Sequence, residues 1–171
     1  MRTLYSRFVV FLLVLAVACS ITACKPASPI GDLVYNVMDT PIMALMFEMG
    51  EDGGVESGGV VYREVTDINL LLAQEKVPVL IVFMDGRALS NAAIPFTEEL
   101  CDRFSTTARI VRVNVGLVDN NAEIDNLKTL FGVSDYPWFA VAYNGQKKTA
   151  ISGYSTAIEG DIIQMIQNAS K

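Results

Sequence analysis

The sequence contains no histidine, and only three of its 171 residues are cysteines. Without a histidine base, neither a Ser-His nor a Cys-His nucleophile can be assembled. The same composition excludes zinc sites built from histidine or from paired cysteines. We therefore expect no metal and no other cofactor.

Basic residues are outnumbered, with 13 lysines and arginines against 19 aspartates and glutamates. The chain from Cys24 onward keeps 11 of these basic residues and all 19 acidic residues, which gives it a net charge of −8. An acidic chain without a basic cluster binds nucleic acid poorly, and its charge does not hold it to anionic lipid. We expect no nucleic-acid partner.

The N-terminus combines two arginines with an unbroken apolar run of 11 residues, 8–18. Such a run is short for a membrane span and fits the apolar region of a signal peptide. The following Ile21-Thr22-Ala23-Cys24 resembles the lipobox of bacterial lipoproteins. The resemblance predicts that residues 1–23 are a signal peptide and that lipid is attached to Cys24.

Two alternatives to the lipid anchor stay open. The apolar run can serve as a membrane-spanning anchor. Cleavage after Ala18 can give ordinary secretion, which would leave Cys19 and Cys24 as thiols. With the lipid anchor, we expect the protein outside the cytoplasm, on the outer face of the cell membrane. In a Gram-negative host, Lys25 after the lipidated residue favours the outer membrane, facing the periplasm.

Residues 24–58 read as a flexible tether rich in methionine and glycine. Within it, Asp39 or Thr40 is suited to cap a short helix that has Pro41 at its first position. Four methionines lie between Met38 and Met49, and methionine suits adaptable contact surfaces. This segment is predicted to pack on its own domain or to dock a partner or the membrane surface.

From Gly59 onward, periodic segments and turn residues predict one domain, 59–171, in the order β-α-β-α-β-α-β-β-α. An Asn144-Gly145 hairpin turn joins the last two strands. The third helix carries Ile124, Leu127 and Leu130 on one stripe. The predicted strands are 60–65, 79–83, 109–115, 138–143 and 147–151, and the predicted helices are 68–76, 91–104, 121–131 and 158–169.

This order, together with the spacing of Pro95, Asn114, Pro137, Gly145 and Gly153, resembles thioredoxin over about two thirds of the chain. The resemblance implies an α/β, thioredoxin-like fold with a central mixed β-sheet flanked by helices. It also implies a cis peptide bond before Pro137.

The resemblance fails at the active site, where the family carries Cys-x-x-Cys. Counted back from Pro95, the two cysteine positions hold Arg87 and Ser90, and the loop is one residue short when counted from the preceding strand. Val82 aligns with the buried acid of the family, and Gly86 with its tryptophan. These losses imply a thioredoxin-like protein without redox activity, whose role is to bind a protein or peptide of the cell envelope.

Two further residues of this region have structural explanations. Ser90 or Asn91 is suited to cap the following helix. Cys101 shares a helical stripe with Ile94 and Phe104, which predicts a buried thiol. The alternative is a thiol-disulfide oxidoreductase, or a redox partner, that uses a single cysteine.

The candidate peptide-binding residues come from two segments that the resemblance places at one end of the domain. In the family, the backbone before the cis-proline pairs with an extended peptide. Large aromatic side chains flank that position here. Burial of Trp138 inside the domain, with Tyr136 covering it, stays open as the alternative. The candidates are Arg87, Ala88, Leu89, Ser90, Tyr136, Pro137 and Trp138.

Overall fold

A computed structural model describes residues 40–48, 59–116 and 121–171, all of which belong to the unit Tyr35–Lys171. The other unit, Met1–Val34, lies outside the described residues, and so do the predicted signal peptide and Cys24.

The described residues form six strands, five α-helices and one 3₁₀ turn. Their bounds are β1 Ile42–Glu48, β2 Gly59–Glu64, α1 Ile68–Gln74, β3 Val79–Met84, α2 Ala88–Ala92, α3 Ile94–Arg103, β4 Arg109–Asn114, α4 Ala122–Phe131, β5 Trp138–Tyr143, β6 Gln146–Ser152, the 3₁₀ turn Thr156–Ile158 and α5 Glu159–Asn168.

The strands form a single mixed sheet in the order β2-β1-β4-β3-β5-β6. β3 and β4 are parallel, whereas β5 runs antiparallel to β3 and β6 antiparallel to β5. On the other side, β1 pairs antiparallel with both β4 and β2. The fold is α/β and thioredoxin-like, with a central mixed sheet flanked by helices, as the sequence predicts.

β3 lies at the centre of the sheet, and all six of its side chains are buried. Alternate residues of β3 belong to different core clusters, because successive side chains of a strand point to opposite faces. One face packs against α3 and α5, and the other packs against α1 and α4. An uninterrupted apolar run is what a strand covered on both faces requires.

The helix predicted from Pro41 is wrong, because Ile42–Glu48 is strand β1. Met43 and Leu45 are buried and face β4 on one side and β2 on the other. Pro41 stands just before the strand, and its carbonyl accepts the N–H of Asn114 at 2.8 Å. These residues therefore belong to the sheet and not to a tether, and the sheet begins upstream of Gly59. β2 is the outermost strand on this side, as predicted.

The helix predicted over 91–104 is two helices, α2 and α3, separated at Ala93. Pro95 lies in the first turn of α3, where a missing N–H removes no helical hydrogen bond. Ser90 and Asn91 lie inside α2, so the predicted capping role of these residues is wrong. The residue at the cap position is Arg87, which makes no side-chain capping bond.

The stripe predicted for α4 is correct at two positions and wrong at the third. Ile124 and Leu127 are buried, but Leu130 is 57% exposed and Phe131 is buried in its place. A step of four residues from Leu127 keeps closer to the helical period of 3.6 at this point. Gly132 ends the helix with a φ of 62°, in the left-handed conformation that glycine tolerates. Among the described helices, none has the length and apolarity to cross a bilayer.

Candidate functional site

Two candidate segments lie at the same end of the central strands of the sheet. The loop from Asp85 follows the end of β3, and Tyr136-Pro137 comes just before β5. Since β3 and β5 are antiparallel, with Phe83 opposite Trp138, the end of one strand lies beside the start of the other. The Tyr136–Pro137 bond is cis, as the sequence predicts.

Asp85 organises the loop in which the family carries its cysteines. The Oδ1 atom of Asp85 accepts the hydroxyl of Ser90 at 2.7 Å and the backbone N–H of Arg87 at 3.1 Å. Its Oδ2 atom accepts the Nε of Arg87 in an ion pair. In return, the backbone N–H of Asp85 donates to the Ser90 hydroxyl at 3.3 Å. The side chains of Arg87 and Ser90, the two positions that the resemblance aligns with the cysteines, are therefore bound to one carboxylate.

These bonds favour the charged form of Asp85. Partial burial acts to raise the pKa of this carboxyl group, but the hydrogen bonds from Ser90 and Arg87 outweigh it, and the pKa is lowered. Ser90 is fully buried, and its acid-base neighbour in this network is an ionised carboxylate that already accepts two hydrogen bonds from Arg87 besides that of Ser90. The network holds the loop in one conformation and leaves Ser90 unsuited to nucleophilic attack.

Gly116, just after β4, packs closely against the backbone of the Asp85 loop. A Cβ atom at this position would lie 2.6 Å from the carbonyl oxygen of Asp85, a distance that no real contact of this kind reaches. The adjacent Val115 N–H donates to the carbonyl of Met84 at 2.7 Å. Glycine is therefore required where the backbone after β4 passes against the Asp85 loop.

The outer surface of α2 combines an apolar and a basic side chain. Leu89 is 56% exposed, and the Arg87 side chain is 72% exposed although its Nε is bound to Asp85. Ala88 is exposed between them. Arg87 and Leu89 are therefore both accessible from outside the domain.

The backbone at the cis-proline is less available than the sequence suggests. The N–H of Tyr136 donates to the Asp135 carboxylate at 2.9 Å. The carbonyl of Pro137 accepts the N–H of Gly153 at 2.8 Å. Gly153 has a φ of 75°, which explains glycine at this position. A peptide that used the Tyr136 N–H would have to displace Asp135.

Trp138 belongs more to the core than to an exposed groove. The side chain is half-buried and packs against the cluster beneath α4, and the Nζ of Lys147 lies 5.7 Å from its ring centroid. That lysine also donates to the carbonyl of Phe131 at 2.6 Å, at the end of α4. Tyr136 is half-buried against the same cluster. The candidate surface therefore depends mainly on Arg87, Leu89 and the exposed part of Tyr136.

Cys101 lies on α3, inside the core, with 2% of its surface exposed. Burial raises the pKa of its thiol to about 11, and the nearby Asp102 and Glu98 carboxylates act in the same direction. A reactive cysteine needs the opposite setting, an accessible site with positive charge nearby. The predicted buried thiol is confirmed.

Asp85 is the site residue that the sequence reasoning missed, and Arg112 is a buried charge outside the site that it also missed. Arg112 is 1% exposed in β4, between two apolar neighbours. A single charged residue inside an apolar strand pattern was the available signal for it. For Asp85 the signal was an acid directly after the central strand. No cluster of three or more metal-ligating side chains occurs in the described ranges.

Solved structures with similar architecture include three thioredoxins. Thioredoxin from Schistosoma mansoni is 21% identical, with 60% of this chain and 86% of that chain covered and a TM-score of 0.48. Oxidised mitochondrial thioredoxin 3 from Saccharomyces cerevisiae is 21% identical, with 58% and 88% covered and a TM-score of 0.48. Spinach chloroplast thioredoxin f is 19% identical, with 62% and 88% covered and a TM-score of 0.49.

No family model matches the chain, and no curated protein matches it. Overall superposition on the thioredoxins is weak, so the assignment of the fold rests on the strand order and strand directions given above.

Proposed function

We propose that this is a lipid-anchored, extracytoplasmic thioredoxin-like protein without redox activity, which binds a protein or peptide of the cell envelope. One observation carries the proposal: the side chains at both former cysteine positions, Arg87 and Ser90, are bound to the carboxylate of Asp85. A loop fixed by these bonds presents a constant surface, which favours binding because little conformational freedom is lost on association.

The alternative function, a thiol-disulfide oxidoreductase or redox partner with a single cysteine, finds no support at Cys101. A thiol with a pKa of about 11 is almost entirely protonated at neutral pH. Its burial also keeps a disulfide substrate from reaching the sulfur atom. Cys24, the other cysteine in this proposal, carries lipid.

The proposed contact surface is the exposed side of α2. Leu89 supplies an apolar contact, and Arg87 supplies a cation whose position is fixed by Asp85. Anchor residues of interfaces are commonly aromatic side chains and arginine, surrounded by apolar contacts that exclude water. An extended or helical segment of an envelope protein has the chemistry to meet this surface.

Site-specific photo-crosslinking in the cell envelope tests the proposal. A photoreactive amino acid replaces Leu89 in the full chain, and the same amino acid at Leu130 serves as the matched control. The two leucines are 56% and 57% exposed, but Leu130 lies on α4, over the other face of the sheet. We expect a discrete crosslinked partner from position 89 and none of the same mass from position 130.

The same experiment distinguishes the surface from general stickiness. Arg87→Ala should reduce the yield at position 89 severalfold, since removing an anchor residue of an interface usually costs more than about 1 kcal/mol. Equal yields from both positions, or no product from position 89, would contradict the proposed surface. A free thiol at Cys24 in the mature protein would contradict the lipid anchor but not the contact surface.

A further inference from the structure

Arg112 is a fully buried cation that forms no salt bridge with any carboxylate of the described residues. It is 1% exposed on β4, where Met43 of β1 and Val82 of β3 are its register partners. Its Nη2 atom donates to the Thr97 hydroxyl at 3.1 Å, while Nε and Nη1 are buried without an acceptor. Because an uncompensated charge in a protein interior is strongly destabilising, another group must stabilise this one.

The nearest group of suitable chemistry is Tyr62. The guanidinium carbon of Arg112 lies 5.4 Å from the centroid of the Tyr62 ring, within range of a cation–π interaction. The Tyr62 hydroxyl donates to the carboxylate of Glu98 on α3. A cation, a phenol and a carboxylate therefore follow one another from β4 through β2 to α3.

Tyr62 stays neutral in this arrangement. Burial first, and then the hydrogen bond to Glu98, raise its pKa to about 12 against the opposing effect of Arg112. The phenol therefore stays protonated across the physiological pH range, and its O–H donates a hydrogen bond to Glu98. Other charged groups are less well placed: Glu64 shares this face of β2 but is exposed, and Glu99 is exposed on α3.

Tyr62 is also the residue that ties β2 to a helix. β2 is the outermost strand, so its backbone pairs with β1 on one side alone. α3 packs across β1, β2 and β4, and the Tyr62–Glu98 hydrogen bond spans this contact. The position of the outermost strand is thus coupled to the balance of charge around Arg112.

We propose that Glu98 is the counter-charge of Arg112 and that Tyr62 connects the two. The three side chains together form a latch that holds β2 against α3. Loss of the negative charge at Glu98 leaves Arg112 uncompensated, and the structure relieves this by opening at β2, which lets water reach the guanidinium. The latch is independent of the proposed contact surface on α2.

Hydrogen exchange of the β2 amides in the full chain tests the latch. We expect Glu98→Gln to increase exchange over residues 59–64 by at least about tenfold, which corresponds to about 1.4 kcal/mol. Glu64→Gln and Glu99→Gln are the matched controls and should leave exchange unchanged. In an Arg112→Met background, Glu98→Gln should have no further effect, because no buried charge is left to balance.

Three results would overturn the latch. Unchanged exchange in Glu98→Gln would show that its charge is not needed, and an equal effect of Glu64→Gln would assign the counter-charge elsewhere. An undiminished effect in the Arg112→Met background would mean that Glu98 acts without Arg112. If Arg112→Met fails to fold, the neutral Arg112→Gln takes its place, and an undiminished effect of Glu98→Gln in that background refutes the relay.

Discussion

Ser90→Ala should destabilise the domain through Asp85, and the structure sets the size of the effect. The substitution removes the 2.7 Å hydrogen bond from the Ser90 hydroxyl to the charged Asp85 carboxylate and the 3.3 Å hydrogen bond that the backbone N–H of Asp85 makes to the same hydroxyl. A hydrogen bond to a charged group contributes about 1.5–3 kcal/mol. Since the Asp85 side chain is 12% exposed, water can replace part of the lost donor. We expect a decrease of about 2 kcal/mol in the free energy of unfolding, at the lower part of that range.

The pH dependence of this loss follows from the lowered pKa of Asp85. A carboxyl group whose pKa is lower in the folded state stabilises the fold above its unfolded pKa, about 3.9 for aspartate, and this contribution disappears as the pH falls through the folded pKa. Ser90→Ala weakens the cause of the shift. The difference between wild type and variant should therefore be full at neutral pH and smaller in acid.

Urea unfolding at neutral pH and at about pH 3, below the unfolded pKa of aspartate, measures both effects. Ser105→Ala is the matched control, because Ser105 is exposed after α3 and its side chain makes no hydrogen bond seen in the described residues. Its effect should stay within about 0.5 kcal/mol. A loss below that value for Ser90→Ala, or a loss that does not change with pH, would refute the role assigned to the Asp85 network.

Four further predictions address chemistry, anchoring and packing. The full chain should not reduce insulin, and turnover that disappears in Cys101→Ser would restore the redox reading. Alkylation of folded Cys101 at pH 8 should be at least about a hundredfold slower than after unfolding, since a pKa of about 11 leaves about 0.1% thiolate; equal rates would show that the thiol is accessible. Mass spectrometry of the mature N-terminus should find a diacylglyceryl group on Cys24, and an unmodified N-terminus would contradict the anchor. Gly116→Ala should lower the unfolding free energy by about 1–3 kcal/mol through the clash with Asp85, a typical cost of overpacking, and an unchanged midpoint in urea would show that the loop moves freely away.

Local sequence patterns were sufficient to predict most of the strands of the sheet. The apolar run of β3 has one reasonable explanation, a strand covered on both faces, and the Asn144-Gly145 turn requires the positive φ angles that both residues adopt, 51° and 72°. The burial of Cys101 was equally predictable, because its helical spacing from other apolar residues shows which face of α3 packs in the core. In each case the deciding information lies within a few residues along the chain.

Distant contacts decided the cases in which sequence reasoning failed. A proline followed by methionine, alanine and leucine is a sound start for a helix, and β1 forms instead because β4 and β2 pair with it. Ser90 resembles a cap but bonds to Asp85, whose position depends on where β3 ends. The isolated arginine of β4 could be placed inside the core only once Tyr62 and Glu98 were known to come together.

The place of β1 in the sheet bears on the order in which the domain can fold. A hydrogen bond from Asn114 to the carbonyl of Thr40 joins residues 74 positions apart, and β1 pairs with β4 along the same line. A chain exported N-terminus first would deliver β1 long before its partner β4. During that interval, an apolar strand with two unpaired edges is exposed to self-association or to chaperones. Folding of this chain should therefore depend on holdases more strongly before residues 109–114 have emerged than after β4 is available to pair with β1.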